Sequence, residues 1–294
     1  MVDLSIIIVS FNTRDVTKKC LDSVFSSFKK NKGISWEIIV VDNGSSDGSV
    51  KLLKSYQKIR LILNKKNTGF GRPNNQGLRI SHGKNILYLN SDVILKRVNF
   101  EKLLTYLDAN PQVAGLTVRV VLSSGGIDPA SHRGFPTPWN AFCYYFELEK
   151  YLGCLPWIGK YFGGYHLTYL DLNSVHEIDC PTAAFFLVRS KILKKINGFD
   201  ENYFLYGEDV DLAFRIKKLA YKIIYYPLYE VIHLKSVSGL KKKTFKVKSK
   251  TRGYFYDSMK IFYNKYYLRK YPWFIKKLVF FFIDLKKKIH ENRY

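Results

Sequence analysis

The first part of the chain alternates apolar runs with stretches of helical periodicity, and this alternation constrains the fold more than any other feature. Leu4 to Phe11 is β-branched and apolar, which is typical of a strand buried on both faces of a parallel sheet. Apolar residues then recur at helical spacing from Val16 to Phe28, and Asn12 or Thr13 can cap that helix. Such strand–helix units predict an α/β fold that binds ligands at the carboxyl ends of its strands.

The alternation continues beyond this first unit. Ser123 to Ile178 interrupts it with Gly, Pro, Trp and Tyr, and we expect this stretch to be a substrate-facing insertion. The pattern predicts strands at Trp36–Asp42, Ile59–Leu63, Ile86–Asn90, Val113–Leu122, Ala183–Val188 and Lys222–Tyr226, and helices at Ser49–Tyr56, Pro73–Ser81, Phe100–Ala109 and Asp209–Leu219.

The charge of the chain is concentrated near its carboxyl end. Of a formal net charge of +24, the segment from Lys235 to Tyr294 contributes 18 Lys or Arg against 3 acids. Its basic residues are mixed with aromatic ones, a composition that fits either nucleic acid or an anionic membrane surface. The longest apolar run, Leu278 to Ile283, is much shorter than the ~20 residues of a spanning helix. We therefore expect a basic amphipathic helical tail at 236–294 that lies on a membrane surface or packs on the domain.

Two further features bear on location and metal binding. Met1 to Phe11 lacks the basic leader of a signal peptide, which predicts a cytoplasmic protein. The cysteines at positions 20, 143, 154 and 180 form no CxxC pair, which suits a reducing compartment and argues against a thiolate zinc site.

Two polar loops follow predicted strands. Asp42 ends one strand and can accept from the N3 hydrogen of a pyrimidine, while the loop from Asn43 to Ser46 offers backbone donors. A tight turn would explain the same residues. The second loop, Asn67 to Asn75, combines glycines with Arg72 before a helix, a pattern that favours a diphosphate but also occurs in purely structural loops.

Acidic residues mark two further places. Asp92, in Asn90-Ser91-Asp92, emerges from an apolar strand and can hold Mg²⁺ or simply cap a turn. Glu208, Asp209 and Asp211 open a helix after an aromatic stretch, where a carboxylate can act as general base or serve only as a cap. His233 is either a nitrogen ligand or an ordinary histidine.

Taken in order, these segments resemble the family-2 glycosyltransferases, particularly their bacterial rhamnosyltransferase-like branch. The similarity spans Leu4 to about His233 and is specific because five weak motifs occur in the family's order. They are SIIIVSFN, VVDNGSSDGS, NTGFGRPNN, YLNSDV and GFDENYFLYGEDVDLAFRI. The resemblance implies a GT-A-type, Rossmann-like fold with a mostly parallel sheet, a nucleotide-diphosphate sugar donor (dTDP- or UDP-linked), Mg²⁺ or Mn²⁺, and inversion at the anomeric carbon.

The resemblance also assigns roles to individual residues. Asp209 matches the catalytic base, with Glu208 beside it to orient or tune it. Asp92 and His233 match metal-site residues. The donor side comprises Asn12, Asp42, Asn43, Arg72, Asn75 and Ser91, and the acceptor or sugar pocket comprises Thr182, in the segment DCPTAA, and Asp211. Asn90 stands where the family's metal motif has its first acid, and the segment after His233 matches only loosely.

The implied organisation is a catalytic domain at 1–235, with a nucleotide-binding half at about 1–92 and an acceptor and catalytic half at about 93–235. The implied enzyme works at the inner face of the cytoplasmic membrane in cell-surface polysaccharide synthesis, with a lipid-linked glycan acceptor and no nucleic acid partner. Two other functions fit the composition: a nucleic-acid-binding module, for which no recognised motif is present, and an inactive sugar- or lipid-binding protein.

Overall fold

The computed structural model describes residues 2–29, 33–235 and 245–292. Its strands are β1 (Val2–Ser10), β2 (Trp36–Asp42), β3 (Arg60–Leu63), β4 (Gly83–Asn90), β5 (Val93–Leu95), β6 (Val113–Leu122), β7 (His176–Ile178), β8 (Phe185–Arg189) and β9 (Lys222–His233). Its helices are α1 (Arg14–Phe28), α2 (Ser49–Lys54), α3 (Gly71–Ile80), α4 (Phe100–Ala109), α5 (Pro138–Tyr145), α6 (Leu148–Leu152), α7 (Gly159–Phe162), α8 (Ser190–Lys195), α9 (Glu208–Lys218), α10 (Phe245–Tyr266) and α11 (Trp273–Asn292).

These strands join in one mixed, mostly parallel sheet of order β3-β2-β1-β4-β8-β6-β9-β5, with β7 added beside β9. The first four strands in this order are parallel, because α1, α2 and α3 provide the crossovers between them. β8 runs antiparallel between β4 and β6, and β5 and β7 run antiparallel to β9. The predicted α/β class with a mostly parallel sheet is confirmed.

Apolar residues cover both faces of the sheet. One core cluster joins the sheet to α1 and α4, and the other joins it to α3, α8, α9 and α10. The middles of the central strands β1, β4 and β8 are buried on both faces, which explains their runs of apolar residues such as Ile6 to Ile8 and Ile86 to Leu89. The carboxyl ends of β1, β2 and β4 therefore meet at one edge, above a rigid support.

The predicted last strand is wrong in extent. β9 continues to His233 instead of ending at Tyr226. Its pairing with β6 is irregular after Tyr226, because the next residue of β9 that pairs with β6 is Glu230. Pro227 lies in this interval and lacks the amide that a regular ladder needs, which hides the strand's second half from pattern analysis. The insertion at Ser123–Ile178 contains the short helices α5, α6 and α7.

The carboxyl-terminal segment is helical, as expected, but its first helix belongs to the core of the domain. Phe262, Tyr263 and Tyr267 are buried in the cluster that also contains α9. The Lys265 Nζ lies 2.6 Å from Asp211 Oδ1, and the Tyr266 hydroxyl donates to the same oxygen at 2.6 Å. The predicted division at 235/236 therefore does not separate two independently packed units. Residues 236–244 of the predicted tail lie outside the described residues.

A search of the described residues for a helix long and apolar enough to cross a bilayer finds none.

Candidate functional site

The carboxyl end of β2 presents an unsatisfied buried carboxylate oxygen. Asp42 pairs with Ser10 across β1 and β2, and its Oδ1 accepts from the amides of Gly44 (3.2 Å) and Ser45 (2.9 Å). Its Oδ2 is buried and has no hydrogen-bond partner among the described residues. Because a buried acceptor without a donor is costly, this oxygen is suited to a ligand N–H group. The geometry thus fits the base-binding role predicted for Asp42.

Asn12 and Asn43 shape the loops around this oxygen. Asn12 has a φ of 53°, and its Oδ1 accepts from the Ser46 amide at 2.8 Å, which ties the loop after β1 to the loop after β2. The Asn43 side-chain amide donates to the Gly69 carbonyl at 2.7 Å. Both predicted donor-site residues therefore lie at the expected edge of the sheet, where they hold loops together through their own side chains.

The glycine-rich loop differs from its predicted use. Gly69 has a φ of +90°, and a Cβ there would lie 2.3 Å from the Phe204 carbonyl oxygen, so the close approach is to the protein's own backbone. Asn75 is buried. Its side-chain oxygen accepts a hydrogen bond from the Phe199 backbone amide at 2.8 Å, and its side-chain nitrogen donates to the Phe199 carbonyl at 2.9 Å. These bonds saturate most of the Asn75 side chain, so Asn75, predicted on the donor side, forms structural bonds to the loop before α9. Arg72 is half exposed and pairs with Glu201 at 2.8 Å.

Asp92 and His233 meet because β5 and β9 are antiparallel neighbours. Val93 pairs with His233, which brings the Asp92 Oδ1 to 3.2 Å from the His233 Nε2. On the other side of the ring, His233 Nδ1 lies 2.7 Å from the Asp128 Oδ2, and the Lys235 Nζ lies 2.8 Å from the other Asp128 oxygen. The sequence predicts the Asp92–His233 pair but gives no indication of Asp128 or Lys235.

The charges in this row of side chains are strongly coupled. Burial alone would lower the pKa of His233, but its hydrogen bonds to Asp128 and Asp92 outweigh that effect and raise the pKa to about 9. Burial would raise the pKa of Asp128, yet the bonds from His233 and Lys235 hold that pKa far below its usual range. In the free protein, an imidazolium therefore lies between two carboxylates.

This arrangement fits a divalent cation, although the described residues contain no preformed group of three or more His, Cys, Asp or Glu that could hold a metal alone. Metal-bound histidines usually direct their second ring nitrogen to a carboxylate, as His233 does toward Asp128. Mg²⁺ commonly takes one or two protein carboxylates and completes its shell with phosphates and water. Asp92 and His233 would hold the ion, and its chemistry would be to neutralise charge on a diphosphate.

Glu208 and Asp209 begin α9 in contrasting environments. The Asp209 Oδ2 pairs with the Arg133 Nη2 at 2.7 Å, and both side chains are mostly buried. The Glu208 Oε2 is buried without a hydrogen-bond partner among the described residues. Burial and the neighbouring Asp209 charge raise the pKa of Glu208 to about 8. At neutral pH Glu208 is therefore protonated beside the Arg133-paired Asp209.

Arg133 connects this pair to the segment that contains Thr182. Its Nη2 lies 3.5 Å from the Cys180 Sγ, and the Arg133 carbonyl accepts from the Cys180 amide at 2.9 Å. The Ala184 carbonyl then accepts from the Asn90 amide at 3.1 Å, close to Asp92 in the chain. Thr182 itself is buried, and its hydroxyl accepts from the Ala184 amide at 3.3 Å. A continuous set of contacts therefore runs from the end of β4 to the start of α9.

The remaining predicted residues divide between this set and the core. Ser91 is buried beside Thr13, with 3.4 Å between their hydroxyls, and so lies at the predicted edge. Asp211 is wholly buried, and its carboxylate is occupied by Arg215, Lys265 and Tyr266. Because no face of this carboxylate reaches solvent, the predicted acceptor-binding role of Asp211 is wrong. It attaches α10 to α9.

The family of the chain follows from comparison with known proteins. The model of the family described as Glycosyl transferase family 2 matches residues 5–194, which is more than half of the chain. The chain belongs to glycosyltransferase family 2. The matched segment covers the loops at Asp42, Asn75 and Asp92 and ends before α9, so Glu208, Asp209 and His233 lie beyond it.

Among curated family members, rhamnosyltransferase WbbL of Escherichia coli strain K12 is 26% identical over 238 residues, which cover 78% of this chain and 82% of that protein. N-acetylglucosaminyl-diphospho-decaprenol L-rhamnosyltransferase of Mycobacterium tuberculosis is 26% identical over 213 residues, covering 68% of this chain and 67% of that protein. Within family 2, the chain is therefore rhamnosyltransferase-like.

A solved structure supports the GT-A fold. The mannosyltransferase PcManGT from Pyrobaculum calidifontis, in complex with GDP-Man and Mn²⁺, superposes with a TM-score of 0.56 at 15% identity. The match covers 90% of this chain and 66% of the mannosyltransferase. At this identity the similarity establishes the fold alone.

Proposed function

We propose that this enzyme transfers a sugar from a nucleotide-diphosphate donor, dTDP- or UDP-linked and with rhamnose as the first candidate sugar, to a hydroxyl of a glycan acceptor with inversion. The observation that carries the proposal is the row Asp92–His233–Asp128 at the end of β4, in a chain of this family. The names of the two relatives, both rhamnosyltransferases, support the choice of sugar.

The proposed reaction is a single displacement. Asp209, positioned by its contact with Arg133, accepts the proton of the acceptor hydroxyl as that oxygen attacks the anomeric carbon. Glu208, protonated at neutral pH because its pKa is raised, adds no second negative charge next to this base. The unsatisfied Asp42 oxygen binds the N–H of the donor base. Mg²⁺ or Mn²⁺, held by Asp92 and His233, would stabilise the departing diphosphate.

We also propose that the enzyme works in the cytoplasm at the inner face of the cytoplasmic membrane, on a lipid-linked acceptor. The decaprenol-linked substrate in the name of the Mycobacterium relative supports such an acceptor. α11 supplies a surface for attachment: Phe274, Leu278, Phe281 and Leu285 follow helical spacing and are all exposed, while Ile283 on the opposite side is buried. An exposed apolar helix face with flanking lysines is typical of interfacial helices.

The decisive experiment measures release of nucleoside diphosphate from a panel of dTDP- and UDP-sugars, with and without a chelator. We expect turnover of one donor, lost on chelation and restored by Mg²⁺ or Mn²⁺. Calorimetry should show weaker donor binding after chelation and in Asp92→Ala, because two phosphates near a carboxylate need a cation. Asp108→Ala, at an exposed carboxylate of α4, is the matched control. Equal donor affinity in all these conditions would contradict the metal site.

A further inference from the structure

The insertion carries an exposed apolar tip that the proposed reaction does not use. Residues 138–162, here called the arm, contain α5, α6 and α7, and the tip between α6 and α7 has the sequence Leu155-Pro156-Trp157-Ile158. Trp157 is 95% exposed, and Leu155 and Ile158 are exposed beside it. Trp157 also has a φ of 70°, a left-handed conformation that non-glycine residues rarely adopt. A constrained turn thus displays a large aromatic side chain to solvent.

The turn is closed by the arm's own backbone. The Ile158 amide donates to the Pro156 carbonyl at 2.8 Å, and the Gly159 amide donates to the Leu155 carbonyl at 2.9 Å. A Cβ atom added to Gly159 would lie 2.6 Å from the Gly153 carbonyl oxygen. The backbone is therefore closely packed directly behind the tip. The outward position of Trp157 follows from this fixed backbone geometry.

The arm lies beside the exposed face of α11. The rings of Phe146 and Phe282 are 6.2 Å apart, and the Lys286 Nζ lies 4.9 Å from the centroid of the Tyr145 ring. Exposed aromatic residues continue from α11 onto the arm through Phe146, Phe142 and Trp139, whose rings contact one another in series. The apolar surface is therefore larger than α11 alone.

The base of the arm is joined to the proposed catalytic residues. The Gly134 amide donates to the Tyr165 carbonyl at 2.9 Å, which closes the arm where it leaves the domain. The residue immediately before this closure is Arg133, the partner of Asp209. Because the base of the arm is anchored next to Arg133, the position of the arm is linked to that of Asp209.

We propose that the arm is a second membrane-contacting element, with Trp157 in the interface of an anionic bilayer. This inference rests on the proposed attachment through α11 and extends it. A bilayer is the occupant that fits best because the exposed aromatic residues of α5 are continuous with α11, whose Lys277 and Lys288 suit anionic headgroups. Tryptophan also prefers the boundary between apolar and aqueous phases.

The test uses the full chain and vesicles made of equal parts phosphatidylcholine and phosphatidylglycerol at low salt. Brominated phosphatidylcholine should quench part of the tryptophan fluorescence, and Trp157→Phe should reduce that quenched part, while Trp139 and Trp273 account for the remainder. Trp157→Ser should weaken vesicle binding about tenfold, the effect of withdrawing one large aromatic side chain from an apolar phase. Leu228→Ser, at an exposed apolar residue of β9, is the matched control and should leave binding unchanged.

The outcomes separate the arm from the proposals on which it rests. If the full chain binds vesicles but bromolipid does not quench Trp157 and Trp157→Ser binds normally, the arm proposal is overturned and attachment by α11 stands. If the full chain does not bind vesicles at all, both membrane proposals fail, while donor hydrolysis still tests the enzyme separately. If Trp157→Ser instead converts an oligomer to a monomer in sedimentation, the tip contacts a second copy and the bilayer assignment is wrong.

Discussion

Two adjacent carboxyl groups at the start of α9 show how neighbouring side chains acquire different protonation states. Asp209 contacts the Arg133 guanidinium, whereas Glu208 is buried with one oxygen unpaired among the described residues. Two like charges this close in a dry environment oppose each other, so one group keeps its proton. The contrast favours Asp209 for the base role.

Asp209→Asn is therefore expected to keep the fold and donor binding but to lose most transfer. Removing a general base typically lowers the rate by about 10² to 10⁴. Steady-state transfer kinetics measure the loss, and donor calorimetry with thermal unfolding shows whether binding and fold persist. A folded Asp209→Asn variant with near-normal turnover would exclude Asp209 as the base.

Glu208→Gln should change the pH dependence of stability. Burial and the Asp209 charge raise the pKa of Glu208 from 4.5 to about 8. The protonated Glu208 side chain therefore contributes its full share of folding stability below pH 4.5, and this share is lost as the pH rises through about 8. Between about pH 5 and pH 8, the free energy of unfolding of the wild-type protein should therefore fall relative to that of Glu208→Gln, because the Gln side chain does not titrate. Denaturant titrations of both proteins at these two pH values measure the difference. Parallel pH profiles would show that Glu208 does not titrate in this range.

At the scale of elements, α10 and α11 look alike in composition but differ in packing. Phe262 of α10 is 4% exposed and lies in the core cluster of α9, whereas Phe281 of α11 is 60% exposed. The buried Asp211 carboxylate also depends on Lys265 and Tyr266 of α10. α10 therefore completes the catalytic domain, and a chain ending near Lys250 should be destabilised, contrary to a simple division into domain and tail.

A matched pair of substitutions separates these two roles. Phe262→Ala should lower the free energy of unfolding by about 3–5 kcal/mol, because it leaves a cavity in a packed core. Phe281→Ala should change it by less than about 0.5 kcal/mol, since the ring is exposed, but should weaken vesicle binding. Denaturant unfolding and vesicle sedimentation of both variants measure the two effects. Equal stability losses would show that α11 is buried against the domain as α10 is.

The sequence predicts elements well where local pattern and tertiary packing agree. β1, β2 and α1 are recognisable because continuous apolar runs and helical spacing coincide with burial. Asp42 and Asp92 are found because parallel strands bring their carboxyl ends to one edge. Asp128 and Arg133 are missed because they lie in the insertion, where no periodicity predicts the pairing of Asp128 with His233 or of Arg133 with Asp209. The structural role of Asn75 is missed for the same reason, since its partner Phe199 is distant in sequence.

Across the whole molecule, charge and apolar exposure occur together in the carboxyl-terminal segment. Residues 235–294 contribute +15 of the net +24, and the described part of this segment carries the exposed face of α11. On a helical period of about 3.6 residues, Lys277 and Lys288 lie at one margin of this face of α11. Electrostatic attraction and apolar burial would therefore act on the same bilayer surface.

Binding to anionic vesicles should consequently be reversible and sensitive to salt. Each Lys or Arg close to an anionic surface contributes on the order of 1 kcal/mol, and salt screens that share within about 10 Å at about 0.1 M. Full-length protein should sediment with phosphatidylglycerol-containing vesicles at low salt and be released progressively as salt rises, with little binding to pure phosphatidylcholine. Leu278→Glu, which places an acid on the exposed face of α11, should reduce sedimentation without lowering hydrolysis of a soluble donor. Salt-independent sedimentation, or equal binding to neutral and anionic vesicles, would show that charge does not guide this attachment.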